Sequence, residues 1–265
     1  MNVIRYMVLG GVFLLLSPTP AVFAEESFGV GGDDYILDHS TPDLLDNDSD
    51  ASAKVDEEYV AVSDPLEPLN RVFFTFNDKL YFWVLKPVER GYVAVIPWDF
   101  RFVIGNFFDN ITSPVDFVNT LLQGRFRDAG IVLGRFVINS TIGVFGFGDA
   151  AKESFGIEAP GGDFGQTLGV YGIGEGIYLN WPFFGPSNIR DSVGLVVDWQ
   201  LLPYRYIGMD REEIWVARGE EFVNKMSITP NTYEELVKAS LDPYVAVRQA
   251  YIDYRRNKVA SIKDK

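Results

Sequence analysis

Apolar residues run densely through the chain but are repeatedly punctuated by single polar ones. After Asp64-Pro65-Leu66-Glu67 come Phe73, Phe74, Phe76, Leu80, Tyr81, Phe82, Trp83, Val84 and Leu85, which together cover nearly every face of a helix. A helix that is apolar all round is buried in a large core or in lipid. Asp64 reads as its N-cap, Pro65 as the first helical residue and Glu67 as the far side of a capping box. A second aromatic and aliphatic run, Tyr92 to Phe108, is broken by Pro97, Asp99 and Arg101. Pro114 to Gln123 reads as a separate helix ending at Gly124, with Val115, Val118, Leu121 and Leu122 at helical spacing. Ile131 to Phe147 is apolar again, yet it contains Arg135, Asn139, Ser140 and Thr141. A charge in such a run is either paired within the fold or faces a water-filled cavity. The sequence leaves both open.

The stretch from Gly161 to Asp191 has a different rhythm. Gly161, Gly162, Gly165, Gly169, Gly172, Gly174, Gly176 and Gly185 alternate with Phe164, Leu168, Tyr171, Ile173, Tyr178, Trp181 and Phe183. A flexible linker is polar between its glycines, so this predicts tightly turning backbone with packed side chains. The glycines do not follow G-x-G-x-x-G, and no G-K-[ST] occurs, so a nucleotide loop is not indicated. Beyond Ile207 the pattern becomes that of ordinary amphipathic helices. Arg211 to Met226 is one, Thr232 with Glu235 suggests a capping box for a short second, and Asp242-Pro243 starts a third running to about Lys258.

Charge divides the 265 residues further. Between Glu25 and Val62 twelve Asp and Glu stand against Lys54 alone, so most of the net charge of −14 belongs to that segment. It reads as a disordered acidic leader. Before it, Arg5, the apolar run Met7 to Leu16 and Ala21-Val22-Phe23-Ala24 have the form of a cleavable secretory signal over residues 1–24. The run is too short for a bilayer, which needs about 20 residues. Residues 63–258 are the expected folded domain and 259–265 a tail. No basic cluster suggests nucleic acid.

Catalysis has little to work with. There is no cysteine, and the single histidine, His39, lies in the leader, so thiol, His-triad and Cys-zinc chemistry are not expected of the domain. Asp163 and Glu175 could form a glycosidase-like pair, but acids in that number occur in most domains. No cofactor or metal is expected. An exported, Phe-rich domain of this kind suggests a membrane protein with an amphipathic ligand such as a lipid.

Several motifs taken in order resemble the MlaA/VacJ family of Gram-negative outer-membrane proteins. They are Asp64-Pro65-Leu66-Glu67 with Asn70-Arg71 and Phe76-Asn77; Asn106-Phe107 through Asn119 and Gln123-Gly124; and Arg135-Phe136 with Asn139-Ser140-Thr141, Gly143, Gly146 and Asp149. Asp163-Phe164-Gly165-Gln166-Thr167-Leu168-Gly169 with Tyr171-Gly172 follows, then Gly185-Pro186-Ser187 with Arg190-Asp191, and Asp242-Pro243-Tyr244 with Arg248 and Tyr251. The resemblance implies a mainly α, ring-shaped, membrane-embedded domain with irregular glycine- and aromatic-rich segments. It implies an outer-membrane component that removes misplaced phospholipid from the outer leaflet through an amphipathic pore. A soluble periplasmic carrier receives the lipid, and a trimeric porin is the expected neighbour. On that reading the helix after Asp64 faces lipid, and Asn70, Asn77, Arg135 and Asn139 are candidates for the lipid pathway. Asp64, Pro65, Asn70, Arg71, Gly143, Gly165, Gln166, Gly169, Tyr171, Gly172, Asp242, Pro243 and Tyr244 are motif residues with mainly structural roles. Two departures are the absent cysteine, where many family members carry a lipid anchor, and Ile177 in place of a usual proline. A non-transporting envelope scaffold and a lipid hydrolase are the competing readings.

Overall fold

The computed structural model describes residues 62–229 and 231–263. The signal segment and all of the acidic leader except Val62 lie outside them. The chain is mainly α-helical. It opens with α1 (Glu67–Leu80), which passes through a π-helical turn (Tyr81–Leu85) into α2 (Lys86–Val95). Then come α3 (Trp98–Leu122), α4 (Phe126–Thr141), α5 (Ala150–Phe155) and α6 (Phe164–Val170). A two-stranded hairpin, β1 (Tyr178–Trp181) and β2 (Gly185–Asn188), pairs antiparallel with Tyr178 opposite Asn188. The chain closes with α7 (Ile189–Leu201), a 3₁₀ turn (Pro203–Arg205), α8 (Arg211–Ile228), α9 (Thr232–Ala239) and α10 (Pro243–Lys263). The glycine-rich stretch is thus a short helix and a hairpin joined by turns, with Gly172, Gly176 and Gly185 at positive φ.

Three local expectations are corrected. Asp64 does not cap α1: its carboxylate accepts from Asn70 Nδ2 at 2.8 Å, from Arg248 at 2.7 Å and from the Tyr244 hydroxyl. Those tertiary partners outcompete the local cap, and Glu67 turns to Arg71 instead. Thr232 likewise forms no capping box, because α9 begins at Thr232 itself, after Asn231 in the left-handed region. The box forms instead at α8, where the Asp210 N–H donates to Glu213 at 2.9 Å. Finally, Pro114 does not start a helix but lies inside α3. Proline strands the carbonyl four residues back; here that is Asn110, and the Ser113 hydroxyl donates to it at 2.8 Å.

Asp242 does start α10, accepting from the Tyr244 and Val245 N–H groups at 3.1 and 3.3 Å. The helix runs on to Lys263.

Packing is inverted relative to an ordinary soluble domain. Among the described residues twenty-two polar or charged ones are buried, against twenty apolar ones. Among the described residues no helix is long and apolar enough to cross a membrane. Yet Trp83, Val72, Phe100, Phe126 and Val196 are between 62% and 73% exposed. On α1 the buried residues are Asn70 and Asn77. The all-round apolar pattern therefore resolves into an apolar outer face over a polar inner one. The apolar interior is split into separate clusters: Phe107, Phe108, Tyr204 and Ile214 in one, Tyr178, Tyr244, Tyr251 and Ile252 in another, and Tyr81 with Leu85 in a third.

Candidate functional site

Bordered by Leu202 of the first cluster and Tyr251 of the second lies a cavity of about 480 Å³, walled by α3, α4, α5, the 158–163 loop, the hairpin, α7, α8 and α10. Its lining is amphipathic. Phe136, Trp181, Phe184, Leu195 and Leu202 contribute apolar surface, while Asn106, Asn110, Asp116, Arg135, Asn139, Asp149, Asp163, Asp191, Asp198 and Arg255 contribute polar groups.

On the α4 side, Arg135 and Asn139 stand four residues apart and so share a helix face. Arg135 meets Asp149 with both carboxylate oxygens, at 2.9 and 2.7 Å, and also donates to the Ile157 carbonyl. Asn139 donates to the same carboxylate at 2.9 Å and accepts from the Ala151 N–H. Burial pushes the Asp149 carboxyl up, but the Arg135 and Asn139 hydrogen bonds outweigh it and hold it below the usual range. The two readings left open for Arg135 are thus compatible, since it is paired and it also lines the cavity. The turn after α4 needs Gly143, where a Cβ would lie 2.2 Å from the Gly148 carbonyl oxygen.

The opposite wall is a buried charge network. Arg255 grips Asp163 with two bonds, 2.6 and 2.8 Å, and reaches Asp191 with Nε at 2.9 Å. Asp191 also accepts from Arg190, Asn188 and the Tyr251 hydroxyl, all within 2.8 Å. Burial opposes the charge on Asp191, yet Arg255 and Arg190 keep its carboxyl below the usual range. Asp198 forms no ion pair among the described residues: it accepts from Asn119 and the Phe164 N–H, and burial pushes it up to about 6. Gln166 bonds Asp163 through its N–H and its side chain. Close approach explains the glycines here. A Cβ on Gly165 would sit 2.5 Å from Asp191 Oδ1, and one on Gly169 would sit 2.7 Å from Val259. Tyr171 donates to the Leu122 carbonyl at 2.6 Å with its ring exposed, and Gly172 turns the chain at φ 86°.

Asn70 and Asn77 do not line this cavity among the described residues. Each uses its carboxamide as a strand-like partner for the hairpin. Asn70 donates to the Tyr178 carbonyl and accepts from the Asn180 N–H; Asn77 donates to the Trp181 carbonyl and accepts from the Phe183 N–H. Seven helical residues advance about 10.5 Å and three strand residues about 10 Å, so the two rows stay in register. Arg71 pairs with Asp242 at 2.8 Å and lies over the Tyr244 ring, while Pro65 precedes α1 and Pro243 opens α10. These contacts fasten the two ends of the described chain together.

Arg255 and Asp198 were not among the residues singled out from sequence. A signal for Arg255 was present: Tyr244, Arg248, Tyr251 and Arg255 recur along one face of α10 at helical spacing. Asp198 carries none, because its role depends on Asn119 and Phe164 arriving from other helices.

The model of the family described as MlaA lipoprotein matches residues 62–258. The chain is 32% identical over 198 residues to the intermembrane phospholipid transport system lipoprotein MlaA of Escherichia coli, covering 71% of this chain and 75% of that one. The protein of the same name from Haemophilus influenzae is 29% identical over 214 residues, covering 74% and 79%. An uncharacterized protein of Rickettsia prowazekii is 30% identical over 190 residues, covering 71% and 75%. A structure solved in work on the structural basis for maintenance of bacterial outer membrane lipid asymmetry superposes with a TM-score of 0.63 at 31% identity. The match covers 74% of this chain and 99% of that one. The chain belongs to the MlaA lipoprotein family.

Proposed function

We propose that this protein is the outer-membrane component of an intermembrane phospholipid transport system. It removes phospholipid from the outer leaflet through the central cavity and passes it to a soluble periplasmic carrier. The observation that carries the reading is the inverted packing: an apolar exterior around a polar-lined cavity of about 480 Å³. A phospholipid headgroup loses water at high cost when it enters hydrocarbon. Groups such as Asn106, Asn110, Arg135 and Asn139 lower that cost, while Phe136, Phe184 and Leu195 keep acyl chains against apolar walls. The ring-shaped domain lies in the inner leaflet of the outer membrane with the exposed apolar side chains against lipid, beside a trimeric porin. The names of the E. coli and H. influenzae relatives support the same role.

The role is passive and needs no catalytic residue. Asp163 and Glu175, the imagined acid pair, are taken up by Arg255 and Arg256. Arg135 and Asn139 are the pathway residues we favour, because they reach the cavity wall. Asn70 and Asn77 serve it indirectly, by holding the hairpin that supplies Trp181 and Phe184.

The test is outer-leaflet phospholipid in a strain lacking the protein. It should rise on deletion and fall to normal with the wild-type chain, while Arg135→Ala with Asn139→Leu restores it only in part. An unchanged outer leaflet on deletion would contradict the reading and favour a non-transporting scaffold.

A further inference from the structure

The exposed apolar side chains stop abruptly at one point in the fold. α7 presents Ile189, Val193 and Val196 outward at helical spacing, and the 3₁₀ turn leads to Tyr206, which is 73% exposed. From residue 207 to 240 no large apolar side chain is exposed among the described residues. At this boundary the surface forms a second concavity, also about 480 Å³, between the end of α7 and the start of α8. Its floor includes the buried Met209 and Ile214, and Trp199 and Trp215 line it with their ring centroids 4.5 Å apart.

Two guanidinium groups also line it. Arg205 donates to Gln200, and Arg211 opens α8; neither is ion-paired among the described residues. Asp210 lines the same concavity while sharing the α8 capping box with Glu213, and the exposed Glu212 lies beside it in sequence, outside the lining. A purely anionic ligand would meet those acids, whereas a zwitterion offers a phosphate to the arginines and a cation to the carboxylates. Tryptophan and tyrosine favour the level where hydrocarbon meets water, because one end is apolar and the other polar. Arginine pairs with phosphate in a planar fork.

We infer that this concavity seats the headgroup of a zwitterionic membrane phospholipid and thereby sets how deeply the α7 side of the protein lies in the leaflet. The inference rests on the membrane reading above but concerns a site separate from the transport cavity. The apolar stripe of α7 supplies continuity with the acyl region, and the charge pattern at its end supplies the headgroup partners.

The test uses the full chain reconstituted in bilayers of ethanolamine-headed phospholipid. These carry a nitroxide quencher at either the headgroup or the middle of the acyl chain. Subtracting the emission of the Trp199→Phe, Trp215→Phe double variant isolates the signal of that pair from Trp83, Trp98 and Trp181. The headgroup nitroxide should quench this difference signal several-fold more than the mid-chain one. Arg205→Gln with Arg211→Gln should weaken that quenching while circular dichroism stays unchanged. Replacing the matrix with anionic glycerol-headed lipid should weaken it too. Quenching only by aqueous iodide, or most strongly by the mid-chain nitroxide, would overturn the inference. So would equal quenching in the anionic matrix. If no lipid-borne quencher reaches Trp83 and Trp98 either, the membrane reading fails and this inference with it.

Discussion

Residues 62–206 and 207–263 are both helical, but they present opposite surfaces. Among the described residues the first region carries thirty of the thirty-one exposed large apolar side chains and the second carries Leu241. α8 and α10 bury Ile214, Ala217, Val247, Ile252 and Val259 together with Glu221, Asn224, Ser227 and Arg255, and what they expose is mostly polar or charged, such as Arg211, Glu212, Asp253 and Lys258. α1, α3, α4 and α7 bury Asn70, Asn77, Asn119, Asn139 and Asp191 beside Phe107, Phe108 and Val132, while Phe100, Phe126 and Val196, and Trp83 of the π-helical turn, are exposed. Secondary structure is therefore not what separates the regions. The difference lies in the medium each outer face is built for; the two regions share apolar clusters, with Phe107 and Phe108 against Ile214 and Tyr178 against Tyr244 and Tyr251, and are further joined by buried polar groups.

The largest effect should come from cutting that connection. Arg255 belongs to α10 but is buried against Asp163 and Asp191 of the other region. Arg255→Met leaves two buried carboxylates without it and should cost about 3–5 kcal/mol, read by denaturant unfolding in detergent. An unchanged midpoint would mean that the shared apolar clusters alone carry the junction.

The α2–α8 contact offers a change in the other direction. Burial pushes Glu220 up to about 7, and its Oε2 has no hydrogen-bond partner among the described residues. The folded chain therefore holds that proton longer than the unfolded one, so stability falls as pH rises from about 4.5 to about 7. Glu220→Gln removes this penalty. It should gain about 3 kcal/mol above pH ~7 and nothing below pH ~4.5, in melts run across that range. A gain independent of pH would refute the assignment.

Smaller again is the crossing of α6 and α7. A Cβ on Gly194 would lie 2.4 Å from the backbone nitrogen of Gly165, so Gly194→Ala should cost about 1–3 kcal/mol. Thermal unfolding at the wild-type temperature would argue that the crossing is loose. The smallest effect should appear on the apolar face. Trp83→Gln and Phe100→Ser should shift stability in detergent by less than about 0.5 kcal/mol but reduce binding to lipid vesicles. Loss of stability without loss of vesicle binding would erase the contrast between the regions.

Sequence patterning disclosed much of this fold, and its failures share a cause. The Asp242-Pro243 helix start was legible because its cap is local, made within three residues. Asp64-Pro65 has the same local form, yet its carboxylate serves Tyr244 and Arg248 from the far end of the chain. Pro114 looked like a boundary because nothing in the pattern shows that Ser113 takes over the stranded Asn110 carbonyl. Apolar residues all round α1 indicated an unusual environment but not which face turned inward. Only the hairpin pairing of Asn70 and Asn77 decides that. Arg135 and Asn139 were visible as polar interruptions of an apolar run. Asp149 was visible only as a motif residue, and its carboxylate turns out to bind them both.

The central claim is that phospholipid passes through the cavity, and the absence of cysteine allows a direct test. Ala159 is exposed at the cavity wall, Phe184 also lines the cavity, and Val137 is exposed on α4 outside its lining. Each would be replaced by cysteine in cells carrying that variant alone, and outer-leaflet phospholipid measured before and after labelling with a bulky thiol reagent. Labelling at positions 159 and 184 should raise it towards the level of the deletion strain, and labelling at 137 should not. Full labelling at 159 and 184 with an unchanged outer leaflet would contradict the account.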